Sequence, residues 1–319
     1  MKKKLFLASA LLVGLALLGG CSEEEVAQTS EIDEDKLTIY ASVFPLEDFA
    51  KKIGGDYVDV RPMMPNGGDA HTYEPTPKEM TEFAEADFIL YNGMQLEGFI
   101  EPVKDALANQ DVELVAVGDF VLENVPEDEY VFIEEDENEG EESSVSLDPH
   151  IWIDPMNAKD MAEVVLEQLK KAKPEAADDF TKNFEAMADD FDTLDTAFQE
   201  AIDAAPNKTI VVAHAAYGYW EKAYGLEQVA INGFSTIEEP SQQELTNIVQ
   251  LIESEGIPFI IFEQNVSSRI TEIIQDEVGV EDLMLHNMAT VTDEDRKNGA
   301  DYFSIMQQNV QTLEKALNY

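Results

Sequence analysis

The stretch after Pro174, EAADDFTKNFEAMADDFDTLDTAFQEAIDAA, restricts the fold more than any other part of this chain. Its apolar residues Phe180, Phe184, Met187, Phe191, Leu194, Phe198 and Ile202 recur every three or four positions. That is the period at which side chains line one face of a helix. The spacing predicts one amphipathic helix over 174–204, about thirty residues and roughly 45 Å long at ~1.5 Å per residue. A helix of that length can bridge two domains, and the length of the chain also suggests two.

Short apolar runs alternate with amphipathic stretches on either side of it. KLTIYASVF, DYVDVRPMM, DFILYNG and VELVAVG read as strands, separated by the helical PLEDFAKKIGG, TPKEMTEFAEA and LEGFIEPVKDALAN. KTIVVAH, LEQVAI, PFIIFE and DLMLH repeat the strand pattern after the long helix. Strands punctuated by helices mark an α/β layer with a mostly parallel sheet. The expected fold is therefore α/β, with two lobes of mostly parallel sheet joined by one long helix. We place an N-terminal lobe at 36–172, the linking helix at 174–204 and a C-terminal lobe at 205–319. Within the first lobe, residues 125–146 are charge-rich and poor in apolar residues, and they read as a long exposed acidic loop.

The chain begins MKKKLFLASALLVGLALLGGC. Three lysines precede an apolar run too short to span a bilayer, which reads as a secretory signal over 1–20. Leu18-Gly19-Gly20-Cys21 matches a lipobox, so Cys21 is expected to carry lipid. It is the only cysteine, which excludes internal disulfides and thiol chemistry from the exported part. Residues 21–35 are acidic and polar and read as a flexible tether. The 67 Asp and Glu outweigh 20 Lys and Arg, for a net charge of −47. Such a surface repels nucleic acid and anionic lipid. Because the acids are spread along the chain, the excess reads first as adaptation to high salt and second as attraction for cations.

Four histidines remain. His71 follows the second strand, His214 follows TIVVA, and His286 ends DLMLH. Ligands of open α/β sheets sit beyond the carboxyl ends of strands. His150 stands in SLDPHIWIDPMNA between two Asp-Pro pairs, where Asp148 or Asp154 can accept a hydrogen bond from its ring. A metal-binding imidazole needs that kind of orientation. No H-E-x-x-H pair and no cysteine cluster is present.

MPNGGDAHTYEPTPKEM, DPHIWIDP, VVAHAAYGYW, STIEEPSQQEL, FEQNVSSRI and GADYFSIMQQNVQTL follow one another in this order. Over roughly 36–319 the chain thereby resembles the zinc-binding lipoproteins of bacterial metal-uptake ABC transporters. The resemblance implies two α/β lobes joined by a rigid helix, one Zn(II) between them as transported ligand, and His71, His150 and His214 as its ligands. Manganese-binding members usually have Glu at the position of His214. Three imidazoles suit Zn(II), whereas Mn(II) favours more carboxylate oxygen.

The chain departs from the pattern in two places. Many zinc-binding members carry a glutamate where this chain has Ala289, so the fourth donor is left to His286, Glu263 or a water. The loop before His150 also lacks the histidines such members often have. Its EEDENEGEE stretch reads as a solvated acidic segment, with weak cation gathering as the functional alternative. Tyr73, Trp152, Tyr217, Tyr219 and Trp220 surround the histidines in sequence and are expected to shield the site. Ser241 and Glu244 form a capping-box pattern, and Asp69 and Asp148 are candidates to orient the ligands.

By the same resemblance the partners are an ABC permease and its ATPase, with the chain a monomer held by lipid at the outer face of the membrane and making no nucleic-acid contact. The alternatives are a manganese or iron carrier of the same class, a zinc hydrolase with Glu263 as base, and an adhesin.

Overall fold

The computed structural model describes residues 35–127, 130–134, 145–232, 241–264 and 269–319. The leader, Cys21 and nearly all of the acidic tether lie outside the described residues, as do 128–129 and 135–144 of the acidic loop.

Two four-stranded sheets carry the structure, and every pairing within them is parallel. The first contains β1 (Leu37–Ala41), β2 (Val58–Pro62), β3 (Phe88–Tyr91) and β4 (Glu113–Ala116) in the order β2-β1-β3-β4. β5 (Phe132–Glu134) and β6 (Val145–Leu147) form a separate antiparallel pair. The second sheet contains β7 (Thr209–Val212), β8 (Glu227–Ala230), β9 (Phe259–Glu263) and β10 (Glu281–Leu285), ordered β8-β7-β9-β10. Both sheets thus place their first strand second from one edge, with the third strand on its other side. The gaps between β1 and β3 and between β7 and β9 are where such folds open a crevice beyond the strand ends.

The helices of the first lobe are α1 (Phe44–Gly54), α2 (Pro77–Phe83), α3 (Ile100–Leu107), α4 (Val117–Leu122) and α5 (Pro155–Ala172). The expected long helix is α6 (Ala177–Ala204), entered through a 3-10 turn at Pro174–Ala176. α7 (Gly218–Tyr224), α8 (Gln242–Glu255), α9 (Arg269–Val278), α10 (Asp293–Asn298) and α11 (Tyr302–Leu317) follow. No helix among the described residues is long and apolar enough to cross a membrane.

The apolar stripe of α6 is buried as its period requires, except that Phe184 is only partly covered. Its first half meets the N-terminal lobe: Phe180 lies 5.5 Å from Tyr57 and Phe191 lies 5.5 Å from Phe49. Its second half meets the C-terminal lobe through Phe198, 4.9 Å from Trp220 and 5.6 Å from Tyr224. Aromatic contacts of this kind add ~0.5–1.5 kcal/mol each beyond the area they bury. The boundary expected at 205 is not a clean division of the core. α11 returns to the first lobe, where Tyr302 packs 5.0 Å from Phe49, and one apolar core runs from Ile39 to Leu317.

The long exposed loop expected over 125–146 is interrupted by Phe132–Glu134, which pairs antiparallel with Val145–Leu147. Three short helices were also not expected. α4 follows β4 without a break, α7 sits in the YGYWEKAYG segment, and α10 lies between Thr292 and Gly299.

Candidate metal centre

His71, His150 and His214 meet at the crevice between the two sheets. One ligand nitrogen from each lies within 4.8 Å of the others, and no other group of three or more His, Cys, Asp or Glu side chains converges this way among the described residues. Ring centroids are 5.0 Å apart for His150 and His214, 5.5 Å for His71 and His150, and 5.8 Å for His71 and His214.

His214 stands just beyond β7, and Glu263 is the last residue of the neighbouring β9. The carboxylate takes His214 Nδ1 at 2.9 and 3.1 Å. A carboxylate can only accept, so the ring proton sits on Nδ1 and the lone pair on Nε2. That Nε2 is buried and has no hydrogen-bond partner.

His150 follows the same design. Its Nδ1 faces Asp148 Oδ1 at 2.8 Å, and its backbone N–H donates to the same oxygen at 2.9 Å. The backbone of residues 148–153 is held from several sides. In the first lobe, Asn92 Nδ2 donates to the Pro149 carbonyl at 2.9 Å and Asp148 N–H donates to Val131. From the C-terminal half, the Tyr219 hydroxyl donates to the Asp148 carbonyl at 2.9 Å, Tyr302 to Trp152 at 2.8 Å, and Trp220 Nε1 to Ile153 at 2.7 Å. Gly218 is needed here, because a Cβ on it would lie 2.7 Å from Asp148 Oδ2.

His71 comes from the loop between β2 and α2, half-buried. Asp69 shapes that loop by accepting the backbone N–H of His71 at 2.9 Å through its side chain and that of Tyr73 at 2.9 Å through its carbonyl. Burial, followed by the neighbouring His150 and His214, pushes the His71 imidazole down to about 3. At His214 burial works in the same direction, but Glu263 outweighs it and raises the ring above its ordinary value. The cluster therefore presents neutral imidazole near neutrality at His71.

His286 does not join the other three. Its Nδ1 accepts the Met288 backbone N–H at 3.0 Å, which puts the ring proton on Nε2. Nε2 lies 3.8 Å from Asp295 Oδ2 and has no lone pair to offer in this state. Its backbone is fixed by Asn309, which accepts its N–H at 2.9 Å and donates to its carbonyl at 2.8 Å.

Glu263, the other candidate for a fourth donor, spends its oxygens on His214 and on Asn287 Nδ2 at 2.5 Å. Ala289 contributes only backbone, accepting the Phe44 N–H at 3.0 Å. Asn92, Gly218 and Asn287 are the positioning residues that sequence reasoning passed over. Asn92 carried the one available signal, since it directly follows a strand at the point where the strand order reverses.

The chain is similar to known proteins along nearly all its length. It is 32% identical over 315 residues to the zinc-binding lipoprotein AdcA of Streptococcus pneumoniae, covering 98% of this chain and 61% of that one. The chain thus spans about three-fifths of the length of that relative. It is 27% identical over 302 residues to the high-affinity zinc uptake system protein ZnuA of Bacillus subtilis, covering 94% of each. The crystal structure of the Zn(II)-bound ZnuA-like domain of the S. pneumoniae AdcA superposes with a TM-score of 0.71 at 29% identity, over 89% of this chain and all of that one. The profile of the ZnuA family, zinc-uptake complex component A periplasmic, matches residues 39–316. With that match, the two parallel-sheet lobes and the three converging imidazoles, the chain belongs to the ZnuA family of zinc-uptake components.

Proposed function

We propose that this protein captures Zn(II) outside the cell and hands it to the permease of an ABC importer, whose ATPase drives uptake. The observation that carries the reading is the trio His71, His150 and His214, two of whose rings are set by a buried carboxylate on Nδ1. Zinc takes neutral imidazole at ~2.0–2.1 Å and is content with four donors. Water is the fourth donor in this reading. The carboxylates of Asp148 and Glu263 supply negative charge one bond beyond the ligands, which balances the dication without a ligating carboxylate. The names of the relatives point the same way.

The reading is capture rather than catalysis. A zinc hydrolase needs a general base facing the open position, and Glu263 is engaged by His214 and Asn287. A lipid on Cys21 followed by the acidic tether would hold a monomer at the outer face of the membrane. Manganese is the competing cargo, because only metal chemistry separates the two carriers.

Competitive titration of the purified protein with Zn(II) and Mn(II), read by bound-metal analysis, tests this. One zinc per chain that excess manganese does not displace is expected. Preferred manganese, or no stoichiometric metal, would sink the proposal.

A further inference from the structure

Asn287 follows β10 by two residues and has no counterpart among the motifs that carry the family resemblance. Three of its groups are engaged. Its side-chain Nδ2 donates to Glu263 Oε2 at 2.5 Å, on the same carboxylate that fixes His214. Its side-chain Oδ1 accepts the Ala289 N–H at 3.0 Å, which settles which end of the amide faces Glu263. Its backbone carbonyl accepts Trp152 Nε1 at 2.7 Å, and the Trp152 ring sits 5.4 Å from that of His150. Trp152 belongs to the first lobe and His214 to the second, so a single residue touches the supports of two of the three imidazoles.

The surrounding turn is built to keep it there. Met288 takes a left-handed φ of 68°, a conformation seldom adopted by a side chain of its size. The turn is then tied across to the first lobe. Phe44 N–H donates to Ala289, Gly67 N–H to Val291, and the Thr290 hydroxyl to the Gly68 carbonyl at 2.9 Å. The lobes cannot part without pulling on Asn287, and Asn287 cannot move without releasing an oxygen of Glu263.

We infer that Asn287 is a positioning residue that couples closure of the two lobes to the orientation of His214, and so slows release of the ion. The inference rests on the zinc reading given above. Loss of the Nδ2–H donor frees Glu263 to rotate, and removal of a partner one shell beyond a metal ligand typically weakens metal binding ~10–100-fold. Because the ligand itself remains, the loss should appear in dissociation rather than in association.

The test measures zinc affinity by chelator competition and zinc dissociation by stopped flow, on the purified full-length chain. The variants are Asn287→Ala, Asn287→Asp, Glu263→Gln and the double variant Asn287→Ala with Glu263→Gln. Asn287→Asp keeps the acceptor for Ala289 and replaces the donor to Glu263 with a carboxylate oxygen that repels it, so it reads the coupling even if the alanine variant folds poorly. A roughly 10–100-fold loss is expected in both single Asn287 variants, carried by faster dissociation. It should shrink to a few-fold when Glu263 is already Gln, because coupled residues are non-additive. Unchanged affinity in both Asn287 variants, or a full loss that persists beside Glu263→Gln, would overturn the inference while leaving zinc capture intact. A wild-type chain without bound zinc would overturn the zinc reading and the inference with it.

Discussion

A neutral imidazole has one lone pair to give, and the partner of its other nitrogen decides which way that pair points. In His150 and His214 a carboxylate accepts from Nδ1, so the lone pair lies on Nε2. In His286 a backbone N–H occupies Nδ1 instead, and the proton faces Asp295 from Nε2. Three histidines at comparable points in the sequence thus divide by their hydrogen-bond partners. Half of that division was legible: Asp148 lies two residues from His150, and the Asp-Pro frame announced an oriented ring. The other half was not, because Glu263 meets His214 only through the packing of the second sheet, and the Met288 N–H reaches His286 in a turn where Met288 takes a left-handed φ. The expected outcome is that His286→Ala leaves zinc affinity within about twofold, while Asp148→Asn weakens it ~10–100-fold by disturbing the ring that depends on it. Isothermal titration in the presence of a competing chelator checks both, and a large loss in His286→Ala would mean the ring turns over when metal binds.

The long helices show their period in the sequence. α6 has a full apolar stripe, and α5 begins at Pro155 behind the Asp154 cap, which accepts the Asn157 N–H at 2.8 Å. α4, α7 and α10 span only six or seven residues, too few to establish a face, and tertiary packing sets them. α10 nonetheless advertised itself through Thr292 and Asp295, a reciprocal cap of the kind recognised at Ser241. The shared strand order of the two sheets had no echo in the sequence, since topology constrains burial rather than residue identity.

The cap of α5 carries a cost that can be measured. Burial, then the nearby Asp195 and Asp160, raises the Asp154 carboxyl to about 6. An acid held above its unfolded value of ~3.9 favours the fold while protonated. That contribution is complete below about pH 4, falls as pH rises through 6, and is absent at pH 7. Asn caps as well as Asp and carries no charge. Asp154→Asn is therefore expected to raise stability at pH 7 by about 1–3 kcal/mol, with the gain vanishing near pH 4. Urea denaturation at both pH values checks this. Equal effects at the two would show that the charge at Asp154 is already compensated.

At the scale of the whole molecule, the 20 basic residues have to hold together a chain with 67 acids, and several of them sit where the lobes meet. Arg296 forks onto Glu47 at 2.7 and 2.8 Å, and Glu47 is only 2% exposed. Burial works against its charge, but Arg296 and Lys51 hold its carboxyl below the ordinary value. Lys52 bridges Asp48 at 2.6 Å in α1 and Asp301 at 2.7 Å before α11. Much of the remaining acid excess is on the surface, where like charges repel through solvent. Salt shortens the reach of that repulsion from ~10 Å at 0.1 M to ~3 Å at 1 M, and screens buried pairs much less. Raising KCl from 0.1 to 2 M should therefore increase the Tm of the zinc-free protein, because it removes repulsion and spares the lobe-junction bridges. The same screening should slow zinc association, since the negative surface no longer draws the cation in. Dissociation from the buried imidazoles should barely change, so affinity weakens with salt through the on-rate alone. Calorimetry and stopped flow over one KCl series separate the two effects. A Tm that falls with KCl would mean that attractive pairs outweigh repulsion across the surface, and that the acid excess is not the burden its size suggests.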